Sequence, residues 1–267
     1  MTIKDWIRNK EITSSPHFSV VEVQAAFPQT SEQLIKNELY RLSSQGVITS
    51  TYKGFYVIIP VQYAAKGIVP PLYYIDQLMT HLSKPYYISL LNAAELLGVS
   101  HQAPQQFYVM TIPPKAKVSN NKNGILVWVH RTEIPEKFLL TKNSETGIVR
   151  YSNAELTTVD LIQYSQYIGG LSRAATLLSE LVEFTDFRGK IEELAKFTTI
   201  TTLQRLGYIL EEVLFESEQA EIVYSELVAL GKRITFKPLS SQIENDSRNR
   251  NGKWKININT EIEVDDV

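Results

Sequence analysis

Residues 30–59 read TSEQLIKNELYRLSSQGVITSTYKGFYVII, and this stretch decides the fold of the amino-terminal end. Thr30-Ser31-Glu32-Gln33 is a capping signature: a hydroxyl accepts from a backbone N–H three residues on, and the side chain there reaches back. It opens a helix that runs to about Gln45, where Gly46 supplies the left-handed stop. At about 100° per residue, Leu34, Ile35, Leu39 and Leu42 share one face, which must be buried. The opposite face carries Gln33, Lys36, Asn37, Tyr40 and Ser44, with Thr30 and Arg41 at its border. Glu32 and Glu38 fall toward the buried side, so that face is expected to hold no carboxylate. Val47 to Tyr52, the turn Lys53-Gly54 and Phe55 to Ile59 then make a β-hairpin.

The residues upstream supply two more helices. Ile3, Trp6 and Ile7 form the apolar side of the first, and Ser19-Val20-Val21-Glu22 is a capping box that opens the second, which Pro28 stops. Three helices followed by a hairpin make a winged helix-turn-helix over residues 1–60. Amides and hydroxyls for base edges, cations for phosphates and no repelling charge suit its third helix to DNA. The DNA-contact residues are therefore read as Thr30, Ser31, Gln33, Lys36, Asn37, Tyr40 and Arg41, with Tyr52 and Lys53 at the wing tip. A protein-interaction module is the alternative use of such a unit.

The whole chain bounds these readings. Its 267 residues are 43% hydrophobic, carry 27 Lys/Arg against 29 Asp/Glu and include no cysteine. That length suits one large domain or two modest ones. No apolar run reaches the roughly 18 residues of a membrane span, and no signal-peptide apolar segment opens the chain. Disulfides and thiolate chemistry are excluded, which fits a reducing compartment; the expectation is a cytoplasmic protein with no membrane partner. Residues 61–150 carry nine Lys/Arg against five Asp/Glu, whereas 151–237 carry eight against thirteen. A basic strip that includes Lys115, Lys117 and Lys122 reads either as an auxiliary DNA contact or as a solvated loop.

Pro60 and Val69-Pro70-Pro71 bracket a linker over 61–71. The remainder, 72–267, reads as a larger mixed α/β (α+β) domain. A helix spans Tyr86 to Gly98, and strands cover Gln106–Ile112, Gly124–His130 and Gly147–Ser152. Helices follow around 153–158, 171–182, 203–214 and 222–230. The alternating Trp254-Lys255-Ile256-Asn257-Ile258-Asn259 predicts a late strand that returns to the sheet.

Enzyme motifs are missing. There is no dinucleotide fingerprint, P-loop or nucleophile elbow. His17, His81, His101 and His130 have no ligand-spaced neighbours, so no metal is expected. A nucleotidyltransferase needs a glycine turn and then a strand with two carboxylates two residues apart; Gly169-Gly170 is present, but Glu180 and Glu183 have helical spacing. No catalytic residue and no cofactor are assigned. The acidic residues from Glu211 to Glu226 read as a solvated helix face, with docking of a basic partner as the alternative.

Several phrases, in order and spacing, resemble the AbiEi family of antitoxins from type IV abortive-infection toxin–antitoxin systems. They are Leu39-Tyr40-Arg41-Leu42 with Gly46-Val47-Ile48 and Gly54-Phe55-Tyr56-Val57, then Tyr87-Ile88-Ser89 through Gly98. Further along come Glu155-x-Thr157-x-x-Asp160, Gly169-Gly170-Leu171, Arg205-Leu206-Gly207-Tyr208-Ile209 and the Trp254 segment. Leu156 departs from the pattern, because a basic residue is common there in the family. The resemblance implies an amino-terminal domain that represses its own operon by binding inverted repeats, two protomers per operator. It also implies a carboxy-terminal domain that neutralises a nucleotidyltransferase toxin encoded beside it, by a route that need not involve a stable complex. Glu155, Thr157, Asp160, Arg205, Gly207 and Trp254 are its motif residues here. Bottom-up, the threonine caps a helix start, the acids favour its dipole and Gly207 permits close helix packing.

Two rivals follow from the same residues. One is a winged-helix regulator whose larger domain senses a small ligand, which predicts a concave pocket beyond residue 70. The other is a degenerate nucleotide-transferring enzyme fused to a DNA-binding arm, which predicts metal-dependent turnover.

Overall fold

The computed structural model describes residues 1–12, 16–99, 103–114 and 126–265. The chain is α+β, with helices and, among the described residues, three separate sheets. It divides into two compact units. One comprises residues 1–87, 105–131 and 141–150; the other comprises 88–104, 132–140 and 151–267. Lys115, Lys117, Lys122 and His101 lie outside the described residues.

The first unit opens with α1 (Ile3–Ile12), β1 (His17–Ser19), α2 (Val20–Ala26) and α3 (Glu32–Ser44), then β2 (Ile48–Tyr52) and β3 (Phe55–Ile58). The three strands form one antiparallel sheet in the order β1-β3-β2. Ile7, Phe18, Val23, Ile35, Leu39, Leu42, Ile48 and Ile58 make its closed core. The capping box at Ser19 forms as read: its hydroxyl accepts from Glu22 N–H at 3.2 Å, and Glu22 accepts from Ser19 N–H at 2.7 Å. Burial works to raise the Glu22 carboxyl, but bonds from Lys10 and Ser19 outweigh it and hold it below the ordinary value.

Two local expectations at α3 need correction. Its N-cap is Ser31, which accepts from Leu34 N–H at 3.4 Å, so the helix starts one residue later than the Thr30 signature implies. Leu34, at the edge of the apolar stripe in the first turn, is 60% exposed, and only Ile35, Leu39 and Leu42 are buried. With Thr30 outside the helix, Gln33 is released from any capping role.

Between residues 60 and 82 the chain forms α4 (Val61–Ala64), a short 3₁₀ turn at Pro71–Tyr73 and α5 (Ile75–His81). Val69 and Pro71 are buried, so the proline-bracketed segment is packed rather than free. A five-stranded sheet takes the order β6-β5-β4-β8-β7, with β4 at Tyr86–Ile88, β5 at Phe107–Thr111, β6 at Leu126–His130, β7 at Leu139–Ser144 and β8 at Gly147–Ser152. β5 and β6 run parallel, as do β4 and β8. Tyr86–Ile88 is thus a strand, not the first turn of a helix; the helix α6 begins at Leu90 and ends at Leu97 with Gly98 at φ 87°. Three successive aromatic and β-branched residues favour extended backbone, and burial of all three satisfies a central strand.

In the second unit α7 (Ala154–Gln163) is the hub, packed by α6, α8 (Leu171–Leu181) and α10 (Ile200–Tyr208). Every residue from Ala154 to Ile162 is buried, including Glu155, Thr157, Thr158 and Asp160. α9 (Ile191–Phe197) and α11 (Ser217–Ala229) pack together, and α10 continues into a single π turn at Ile209–Val213. The late strand does form, at Ile256–Asn257 (β11), but it does not rejoin the five-stranded sheet. It pairs with β9 (Lys237–Pro238) and β10 (Arg250–Asn251) in a small sheet of its own.

Candidate functional site

The exposed side of α3 carries the residues singled out for DNA. Gln33, Lys36, Asn37, Tyr40, Arg41 and Ser44 are all exposed, with Tyr40 at 77%. Thr30 is half-buried and Ser31 is exposed just ahead of the helix. The Gln33 carboxamide donates to Asn37 Oδ1 at 2.9 Å, one helical turn on. This i,i+4 bond presets the pair as one hydrogen-bonding surface.

The carboxylates depart from expectation. Glu32 is exposed and pairs with Lys36 at 2.5 Å, while Glu38 accepts two bonds from Arg41 at 2.6 and 2.8 Å. Both cations therefore carry an intrahelical counter-charge. Buried-stripe geometry fixed where each Cβ points, but the long glutamate side chains reach around to the cations. Such exposed pairs are weak and screened by salt, so a phosphate can displace them.

The hairpin is short. Val20 N–H donates to the Gly54 carbonyl at 2.9 Å, which ties the turn to the start of α2. Lys53 is exposed at the turn, and Tyr52 is partly buried with its ring edge-on to Trp128 at 6.5 Å. On the next strand Phe55 stacks with His17 at 5.8 Å and contacts His81 at 5.2 Å. Burial lowers the His17 pKa, with nearby Lys10 acting the same way and Glu22 opposing.

The six motif residues of the second part fall into two places. At the start of α7 the cap is Asn153, whose Oδ1 accepts from Leu156 N–H at 3.0 Å. Thr157 is not the cap: its hydroxyl is buried against Ser152, bonding that hydroxyl at 2.7 Å and the carbonyl at 3.2 Å. Glu155 reaches across to residues 186–190. Its carboxylate accepts from Lys190 Nζ, from Asp186 N–H at 3.3 Å and from the Asn153 carboxamide at 2.5 Å. From the other side Glu226 accepts from Gly189 N–H and from Ile191 N–H at 3.1 Å. Two carboxylates from different helices thus clamp one loop. Asp160 is wholly buried.

Arg205, Gly207 and Trp254 gather at the other place. A methyl added to Gly207 would lie 1.9–2.5 Å from the Trp254 ring, so the indole occupies the space a side chain would need. Trp254 Nε1 donates to Glu211 at 2.6 Å, and Lys253 reaches both Glu211 at 2.5 Å and Glu221 at 3.0 Å. Burial works to raise Glu211, yet the bonds from Lys253 and Trp254 hold its carboxyl below the ordinary range. Gln204 Nε2 donates to the Trp254 carbonyl at 2.7 Å and to Thr235 O at 3.1 Å. Arg205 donates to Pro238 O at 2.9 Å, and burial lowers its pKa. The roles of Lys190, Glu226, Gln204 and Glu211 are not legible locally because their partners lie tens of residues away, whereas the Asn153 cap on Leu156 is a local signal that the reading of Thr157 as the cap passes over. Much of the acidic run from Glu211 to Glu226 is consumed in these internal bonds.

Among the described residues, no three His, Asp or Glu side chains come together in a group able to hold a metal ion. None of the described helices is long and apolar enough to cross a membrane.

Comparison with known proteins gives a family and a fold. A search of the curated proteins finds no significant match. Among solved structures, the chain is similar to one described as the crystal structure of RV2827C protein from Mycobacterium tuberculosis. The TM-score is 0.65 at 13% identity, over 94% of this chain and 88% of that one. At that identity the likeness concerns the fold. The family model of the AbiEi antitoxin C-terminal domain matches residues 87–212, which include α7, α8, α10 and five of the six motif residues. Residues 87–212 thus match the AbiEi antitoxin C-terminal domain.

Proposed function

We propose that the protein is a DNA-binding transcriptional autorepressor and an antitoxin against a nucleotidyltransferase toxin encoded in the same operon. The observation that carries the DNA half is the exposed face of α3. It presents an amide pair, Gln33 and Asn37, between two cations whose counter-charges are the exposed Glu32 and the partly buried Glu38. The order of three helices and a hairpin, with the sheet β1-β3-β2, supports a winged helix-turn-helix. In this reading α3 enters the major groove and Lys53 touches the backbone, with Tyr52 held back by Trp128. Inverted repeats in the operator call for two protomers on DNA. Lys115, Lys117 and Lys122 would extend the contact along the backbone.

The antitoxin half rests on the family domain at 87–212. Its motif residues serve packing and loop clamping, which supports a non-enzymatic role without cofactor or metal, exercised in the cytoplasm. A small cavity in residues 151–267 favours the rival reading of a ligand-sensing regulator enough for that rival to be tested alongside.

A salt-dependent binding titration tests the DNA half: the region upstream of the gene against a shuffled duplex. The autorepressor reading expects a preference of roughly a thousandfold or more. Equal weak binding to both duplexes would reduce α3 to a protein-interaction surface. Co-expression with the adjacent reading frame tests the other half, since an antitoxin must restore growth when that frame is toxic.

A further inference from the structure

Charge is segregated along the last part of the chain. Residues 151–231 carry five Lys/Arg against thirteen Asp/Glu, whereas 232–255 carry seven against two. A polyanion is therefore repelled by most of this part and attracted to one stretch of it. Two of the seven cations are already neutralised: Arg248 pairs with Asp246 at 2.9 Å, and Lys253 pairs with Glu211 and Glu221 at 2.5 and 3.0 Å. The other five are Lys232, Arg233, Lys237, Arg250 and Lys255, and among the described residues none of them has a carboxylate within ion-pair distance.

An aromatic ring lies among them. Phe236 is 38% exposed, and its ring centroid is 5.0 Å from the Arg250 guanidinium carbon and 5.1 Å from Lys255 Nζ. The small sheet fixes this arrangement: β11 pairs with β10 on one side and β9 on the other, and Lys237 N–H donates to the Lys255 carbonyl at 3.0 Å. Just ahead of Phe236, the Thr235 carbonyl accepts from Gln204 Nε2 at 3.1 Å. Two like charges drawn to one ring repel each other, and no acid paired with either offsets that repulsion. The cluster is relieved by an anionic partner.

We propose that this surface binds unpaired segments of RNA. Phosphates need cations that carry no counter-charge, and unpaired bases need a flat group to stack on. The patch supplies both, since bases stack on aromatic rings and on guanidinium planes alike, here Phe236 and Arg250. A duplex keeps its base faces inside the stack, and an acidic peptide would use the cations and leave the ring idle. Unpaired strands in a cell are chiefly the loops and ends of RNA. The exposed Glu244, in the same stretch, opposes binding and sets a ceiling on affinity. The surface belongs to a different unit from α3, so it stands apart from the DNA-binding reading and requires no toxin.

Fluorescence-anisotropy titrations of the full chain at several salt concentrations test this, with labelled oligouridylate, an RNA duplex of the same length and oligodeoxyuridylate as probes. Oligouridylate should bind saturably and about fivefold or more tighter than the duplex. Phe236→Ala should weaken that binding about fivefold or more, the loss of one stacked base, whereas Phe236→Tyr keeps the ring and should bind as wild type does. Arg250→Gln with Lys255→Gln should lower the salt slope by about 1.4, at about 0.7 for each phosphate contact on a single strand. No saturable binding of oligouridylate by wild type overturns the proposal, as does equal or tighter binding of the duplex or tighter binding of oligodeoxyuridylate. Binding unaffected by Phe236→Ala, or a salt slope unchanged in the double variant, overturns it too. So does loss of RNA binding in Lys36→Gln with Arg41→Gln, because the strand would then lie on α3.

Discussion

Gly207→Ala sets two known effects against each other at one atom. In an isolated helix the change stabilises by about 1 kcal/mol, because alanine loses less backbone freedom than glycine. Here the added methyl would lie 1.9–2.5 Å from three carbons of the Trp254 ring, far inside the roughly 3.5–4.0 Å of ordinary carbon contact. The indole has no room to retreat. It is 1% exposed, its Nε1 donates to Glu211 at 2.6 Å, and Tyr224 meets it edge-on at 5.4 Å. Its backbone is held too, by Asn251 at the N–H and by Gln204 at the carbonyl.

Overpacking of this kind costs about 1–3 kcal/mol, and moving the ring also forfeits a bond to a carboxylate worth about 1.5–3 kcal/mol. Set against the helix gain, the net is a loss of about 1.5–5 kcal/mol. For a unit of this size that lowers Tm by roughly 3–20 °C. The assay is thermal and urea unfolding followed by far-ultraviolet circular dichroism, with Trp254→Leu and the double variant beside it. In the cycle, Gly207→Ala should cost at least about 1 kcal/mol less once the indole is gone. A variant as stable as wild type, or strictly additive energies, would refute the claim that the glycine exists to admit the tryptophan.

Other expectations follow from the same geometry. Replacing Lys36 and Arg41 by glutamine should lower the salt dependence of operator binding by about one ion each, read from titrations at several salt concentrations. Glu32→Gln with Glu38→Gln should do the reverse and tighten DNA binding, since phosphates no longer compete with intrahelical carboxylates; unchanged affinity would remove α3 from the interface. Glu155→Ala should destabilise the second unit by about 2–3 kcal/mol in urea unfolding, because it strips a buried anion from Lys190 and from two further donors. His17 gives a pH dependence: its folded pKa lies below the unfolded value of about 6.5, so the unfolded chain binds more protons there. Stability is then full above about pH 6.5 and falls as the pH drops through that value toward the folded pKa. His17→Phe should flatten that part of the pH profile, and a slope equal to that of wild type would assign the effect to another group.

The parts of the fold legible in the sequence were those governed by neighbours three or four residues apart. The Ser19 capping box, the Gly98 stop and the apolar stripe of α3 all form because a local hydrogen bond or a helical period dictates them. The misread places share another cause. Tyr86–Ile88 was extended by long-range pairing with residues around Tyr151, which no local window contains. β7 escaped notice because it is polar and largely exposed, joined to β8 by Glu145-Thr146 without glycine or asparagine. The Trp254 segment alternated like a strand of the main sheet, yet the large indole was already committed to the groove at Gly207.

That commitment bears on how the motif residues should be understood. Glu155 and Thr157 hold backbone and hydroxyl groups around the start of α7, Gly207 and Trp254 interlock, and Asp160 is sealed inside the hub helix. A residue that is buried and fully engaged cannot also touch a partner without unfolding what it supports. The surface that meets a toxin, or acts upon it, must therefore be sought among exposed side chains that these residues position, such as those of the loop at 186–190. Substitutions in the motif would then abolish antitoxicity together with stability, whereas Arg188, exposed on that loop, could be replaced with stability intact. Loss of rescue by Arg188→Ala at wild-type Tm would separate the contacting surface from the frame that holds it; full rescue would move the surface away from this loop.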